Sequence, residues 1–288
     1  MVGMHPRLGA LAALRLTDPD AKMAATRELV ARVLSDGPTH AGSHASATLS
    51  TPVRAPGDDV GVPGRPERPQ RVSATAVERR SPFTTDGRAA LVHAICHIEF
   101  NAVNLALDAA WRYDGLPEAY YRDWLRVADE EAQHFTMLRD HLCTLGHAYG
   151  DFPGHDGLWS MCEKTKDDVI ARMALVPRTL EARGLDATPL IQAKLRRANA
   201  PDALAAVAIL DVILRDEVGH VAIGNRWYRW LCERAGLDPV AHYRMLYRRH
   251  EAPRLRAPFN LAARALAGFT AEELRELTLD PEAPRPLR

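Results

Sequence analysis

From residue 86 to residue 113, Ala, Leu, Val and Ile recur at helical intervals with no proline, which predicts a first long helix. Asp114-Gly115-Leu116-Pro117 breaks the pattern, and a second helix is predicted over 118–145, stopped by Gly146. A loop with scattered Gly, Asp, Pro and His leads to a third helix at 160–183, bent at Pro177 and ended by Gly184. Thr188-Pro189 is expected to open a short helix to residue 198, and a fourth long helix covers 201–235 before Gly236. Nearer the N-terminus, residues 18–35 read as a helix with Asp18 as cap and Pro19 in the first position. Short helices follow residue 236, one of them opened by the capping box Thr270–Glu273. No alternating run of five residues occurs from residue 84 onward, so the expected fold is all-α with four long helices as its core.

This pattern organises the chain into a helical arm (1–36), an extended linker (37–82), a four-helix bundle (83–236) and a C-terminal helical extension (237–288). The linker carries Pro52, Pro56, Pro63, Pro66 and Pro69 and has no apolar period.

Composition adds bounds rather than identity. Hydrophobic residues make up 47% of the 288 and charged residues 26%, which suits a globular protein. Lys plus Arg equals Asp plus Glu at 37 each, so no global field steers a polyanion to the chain. The local clusters Arg244–Arg249 and Arg254–Arg256 read as solvated faces. Four cysteines without C-x-x-C spacing argue against a zinc knuckle or a redox dithiol and fit a reducing cytoplasm. The apolar run Leu8–Leu16 is short and lacks a small-residue cleavage site, so no signal peptide is expected. No stretch reaches the roughly 20 apolar residues of a membrane span, so no membrane partner is expected.

The chemistry lies in two E-x-x-H motifs, Glu131-Ala-Gln-His134 and Glu217-Val-Gly-His220. Residues three apart share a helix face, so carboxylate and imidazole can reach one cation. A single such motif is common by chance, but each of these lies inside a predicted long helix. The first helix has one glutamate, Glu99, in an apolar stretch where a lone buried carboxylate is costly. The third offers Glu163 and Glu181. Glu131 lies 32 residues after Glu99, and Glu217 lies 36 after Glu181, so choosing Glu181 makes the chain two hairpins of one design. A two-metal carboxylate site in a four-helix bundle uses this set, one Glu from each of two helices and Glu-x-x-His from each of the others. Four carboxylates balance two divalent cations, and mixed oxygen and nitrogen ligands suit iron, with manganese or a mixed Mn/Fe pair as alternatives. Metal-bound imidazoles usually donate their other ring nitrogen to an acid. The expected crossed partners are Asp216 to His134 and Glu130 to His220.

Other candidates receive plainer readings. His97 points about 160° away from Glu99 at 100° per residue, so His93 and His97 are read as surface or capping residues rather than a second metal pair. Trp124 and Trp227 read as core. Leu138 stands one turn after His134, where a radical-forming tyrosine would otherwise be sought.

The strings HAICHIEFNAVNLALDAAWRY, WLRVADEEAQHFTMLRDHL, YGDFPGHDGLW, RMALVPRTLEARGLD and ILRDEVGHVAIGNRWY resemble the ferritin-like family known as domain of unknown function 455, over roughly residues 81–260. The resemblance implies a ferritin-like four-helix bundle with one long crossover. Its implied ligands fall on Glu99, Glu131, His134, Glu181, Glu217 and His220. The LEAR segment at 180–183 is also similar to tRNA hydroxylases of a related ferritin-like group. The expected function is a di-iron or Mn/Fe oxidoreductase that uses dioxygen to hydroxylate or oxidise an organic substrate, with electrons from a separate reductase. A ferroxidase and a tRNA-modifying hydroxylase are the alternatives, and a monomer or dimer is expected rather than a storage shell.

Overall fold

A computed structural model describes residues 5–35, 49, 52–55, 57–78 and 80–279. The expected linker therefore lies partly outside the described residues, as do the ends of the N-terminal arm and of the C-terminal extension. Among the described residues every regular element is helical, apart from one isolated parallel bridge between Arg71 and Gly154. The chain divides into two compact units, Met1–Trp159 and Ser160–Arg288.

The first unit contains α1 (Pro6–Arg15), α2 (Pro19–Ser35), α3 (Thr85–Arg112), α4 (Glu118–Thr144) and the start of α5 (Gly157–Lys164). The long helices α3 and α4 pack along each other, and α1 and α2 cover them. Two buried basic side chains tie these layers together. Arg7 donates to the carbonyls of Ala110 (3.3 Å) and Trp111 (2.6 Å) and pairs with Asp114, so it caps the C-terminal end of α3. Lys22 Nζ donates to the carbonyls of Leu14 and Gly64 and to Asn104 Oδ1, fastening α2 to α1, α3 and the irregular segment. Thr84 caps α3 by accepting from Gly87 N, and Asp18 caps α2 by accepting from Ala21 N.

α3 corrects one expectation. By length and composition it is apolar enough to cross a membrane, though 72% of its most apolar window is buried inside the protein.

The second unit contains α6 (Val169–Leu175), a π-helical turn (Val176–Glu181), α7 (Ala182–Ala198), α8 (Pro201–Arg234), α9 (Pro239–Arg249), α10 (Leu261–Leu266) and α11 (Ala271–Leu279). The 34-residue α8 packs against α6, the π turn, α7, α9 and α10. Ala182, Leu185, Val221, Ala263 and Ala267 form a small apolar core between α7, α8 and the C-terminal segment. The capping box is formed, with Thr270 N donating to Glu273 Oε2 (2.8 Å) and Glu273 N to Thr270 Oγ1 (3.2 Å).

The expected third helix is the largest correction. It is interrupted after α5 and restarts at Asp168, whose Oδ1 accepts from Ile170 N and Ala171 N. Pro177 opens a π turn instead of a simple bend, with Thr179 Oγ1 donating to Ala174 O at 2.8 Å. The chain then continues through Gly184 and Pro189 as one helix, α7. Pro189 lacks the N–H that would bond Leu185 O, and Asn260 Nδ2 donates to that carbonyl instead (3.2 Å).

A candidate metal centre

In the first unit the packing of α3 on α4 sets Glu99 against Glu131 and His134. All three side chains are buried, with Glu131 0% and His134 1% exposed. His134 Nδ1 lies 3.1 Å from Glu131 Oε2 and 3.6 Å from Glu99 Oε2. One ligand atom from each lies within 4.8 Å of the others. Burial, and then the nearby Glu131 charge, raise the Glu99 carboxyl well above the usual range. For His134 burial opposes the charged ring, but hydrogen bonds to Glu131 and Glu99 outweigh it and push the imidazole up to about 11. Without a cation, then, protons held on Glu99 and on the His134 imidazole offset the crowding of buried charge. This donor set fits a hard or borderline divalent ion: two anionic oxygens and one nitrogen, held in a space that water hardly enters.

Phe100 and Phe135 follow Glu99 and His134 in sequence, and their ring centroids lie 5.7 Å apart. Cys96, one turn before Glu99, is wholly buried and directs its thiol to Phe135 O (3.7 Å). Trp124 is fully buried in the same unit.

In the second unit α8 presents Glu217 and His220 on one face, with His220 Nδ1 3.8 Å from Glu217 Oε1 and both side chains buried. Glu181 is also buried and closes the π turn, which packs on α8. A Cβ at Gly224 would come within 2.5 Å of Pro177 Cβ, so only glycine lets α8 approach the turn this closely. Trp227 belongs to the buried residues of α8. Asp216 forms a two-point pair with its neighbour Arg215 (2.8 and 3.1 Å), and Glu130 is half-buried beside Glu131.

His93 and His97 are not surface residues. His93 is 0% exposed, and its Nε2 accepts from Gly150 N (2.9 Å). His97 Nδ1 is 2.8 Å from the Tyr149 hydroxyl, and its Nε2 is 3.5 Å from Asp156 Oδ1. The loop containing Gly154 lies directly on the His97 ring, where a Cβ would come within 2.5 Å. Burial, then the neighbouring His97, lower His93 to about 4.

Two residues outside the E-x-x-H motifs stand out. Tyr149 packs its ring on Phe100 and Phe135. Arg178, 3% exposed, lies three residues before Glu181. The available signal for Arg178 was its position within the apolar run Ala174–Leu180, since an arginine there must find partners.

Comparison with known proteins agrees with the resemblance at the level of family. An uncharacterized protein of Haemophilus influenzae is 51% identical over 218 residues, covering 73% of this chain and 74% of its own length. No solved structure matches. The family described as Protein of unknown function (DUF455) matches residues 15–275, and the chain belongs to it.

Proposed function

We propose that this protein is a metal-dependent oxidoreductase built as a ferritin-like four-helix bundle. In this reading Glu99, Glu131 and His134 act together with Glu181, Glu217 and His220 to hold two cations, iron foremost. The observation that carries it is the buried convergence of Glu99, Glu131 and His134, repeated in kind by Glu217 and His220 on α8. Two buried carboxylates side by side are costly unless a proton or a cation lies between them. When bound, a reduced metal pair would supply the capacity to activate dioxygen for oxidation of an organic substrate, with an external reductase returning electrons.

The residues themselves have definable tasks. Glu131 and His134, one turn apart, orient each other and offer oxygen and nitrogen to one side of the site. The burial of Glu99, Glu131 and His134 keeps water from it. The proton held on His134 must leave when a cation arrives, so binding releases protons and tightens as pH rises. Four cysteines, none of them in a disulfide among the described residues, suit the cytoplasm proposed for such a protein.

Anaerobic titration of the metal-free protein with Fe(II), followed by metal analysis, tests the reading. The expected result is two ions per chain with proton release, then oxygen consumption on exposure to air. Failure to retain any divalent ion would overturn it.

A further inference from the structure

Arg178 sits in an unusual enclosure. Its guanidinium lies over the rings of Phe269 (4.7 Å), Tyr243 (5.0 Å) and Tyr228 (5.4 Å). One arm bonds Asn225 Oδ1 on α8 and the other bonds Glu273 Oε1 on α11 at 2.5 Å. Glu273 is 8% exposed and is held in turn by Arg229 (3.0 Å) and by Thr270 N (2.8 Å). Asn225 Nδ2 donates to Ala267 O, and Arg229 donates to Gly268 O, both at 2.7 Å. Thr179 Oγ1 is 2.9 Å from the Tyr243 hydroxyl on α9. Apart from the Thr270–Glu273 cap, each of these contacts has one end on the six-residue π turn or on α8, and the turn ends at Glu181.

A π turn has poorer hydrogen-bond geometry than an α-helix and persists where the surroundings hold it. Here the surroundings are the C-terminal segment. We infer that Arg178 and Glu273 are positioning residues that latch α11 onto the π turn and so hold Glu181 in the orientation needed to bind metal. The inference rests on the metal-binding reading above. A planar, two-armed guanidinium suits this task, because each arm reaches a different element and the ring faces fix its plane. Lysine keeps the charge but supplies no such fork.

The test compares Mn(II) binding to full-length wild type, E181Q, E273Q, R178K and R229Q, by equilibrium dialysis together with the Mn(II) EPR line shape. Wild type is expected to take up two ions. E273Q and R178K are expected to weaken one of the two by about tenfold or more, to leave the other unchanged, and to reproduce the altered EPR signal of E181Q. R229Q removes another partner of Glu273 while leaving the Arg178 contact, so it should lower thermal stability yet bind two ions as wild type does. If E273Q does not fold, R178K carries the same expectation. Two ions in wild type with unchanged affinity and line shape in E273Q and R178K would overturn the latch alone. Equal weakening in R229Q would reduce the latch to general stabilisation and overturn it too. No Mn(II) binding by wild type would remove the metal reading and the latch with it.

Discussion

Glu99 on α3 and His134 on α4 meet at 3.6 Å in a fully buried space, although 35 residues separate them in sequence. With Glu131 beside them, an ion-sized group of donors is assembled at the contact of the two longest helices of the first unit. Its consequences can be measured.

Removing one carboxylate should trade binding for stability. In metal-free protein, Glu99 is held against burial and against the charge of Glu131. Glu99→Gln is expected to raise the stability of the metal-free form by about 1 kcal/mol and to weaken metal binding on the order of a hundredfold. Denaturant unfolding of the metal-free variant and Fe(II) titration check the two halves of this prediction.

His93 should make the fold acid-sensitive. Its folded pKa, about 4, lies below the ordinary value of 6.5. Between these values the unfolded chain binds more protons than the native one, so stability rises with pH across that window and is lost as pH falls from 6.5 to 4. A shift of this size corresponds to roughly 3 kcal/mol. His93→Gln keeps an acceptor for Gly150 N and cannot titrate. Its unfolding free energy, measured at pH 4.5 and 7, should vary less than that of wild type.

Arg7→Met should destabilise the first unit by about 2–3 kcal/mol. The change leaves two C-terminal carbonyls of α3 without their buried donor and Asp114 without its cation. Chemical denaturation monitored through the tryptophans reads the loss, and Arg7→Lys should recover only part of it because lysine lacks the forked donors.

Gly224→Ala tests the close approach of α8 to the π turn. A methyl group there would meet Pro177 at 2.5–2.6 Å, and a proline ring has little freedom to move aside. The cost expected is about 1–3 kcal/mol. A drop in Tm accompanied by weaker metal binding is the expected pair of outcomes, while Gly219→Ala, where nothing lies within 4 Å, should leave metal binding unchanged and raise stability by roughly 0.5–1 kcal/mol.

How much of this could be read along the chain differs from place to place. Helical periodicity was enough to put Glu131 with His134, and Glu217 with His220, on single faces, since that relation depends only on spacing within one helix. The bounds of α3, α4 and α8 differ from the expected ones by a residue or less, because each is long, apolar and punctuated by Gly, Pro or both. The region from 160 to 198 departs from its local pattern. Pro177, Gly184 and Pro189 look like breaks, yet the chain stays helical through all three, because Asn260 supplies a donor 75 residues away from Leu185 and Arg178 gathers α8 and α11 around the turn.

By itself, then, the sequence determined the helical character of the chain, the extents of its long helices and the shared faces of the two E-x-x-H motifs. These follow from local repeats and backbone propensity. Tertiary structure alone decided that His93 and His97 are covered by the Tyr149–Asp156 loop, that a π turn presents Glu181, and that Glu99 reaches His134. Each of those depends on a donor, a ring or a missing side chain supplied from far along the chain, and no local pattern encodes a partner at that distance.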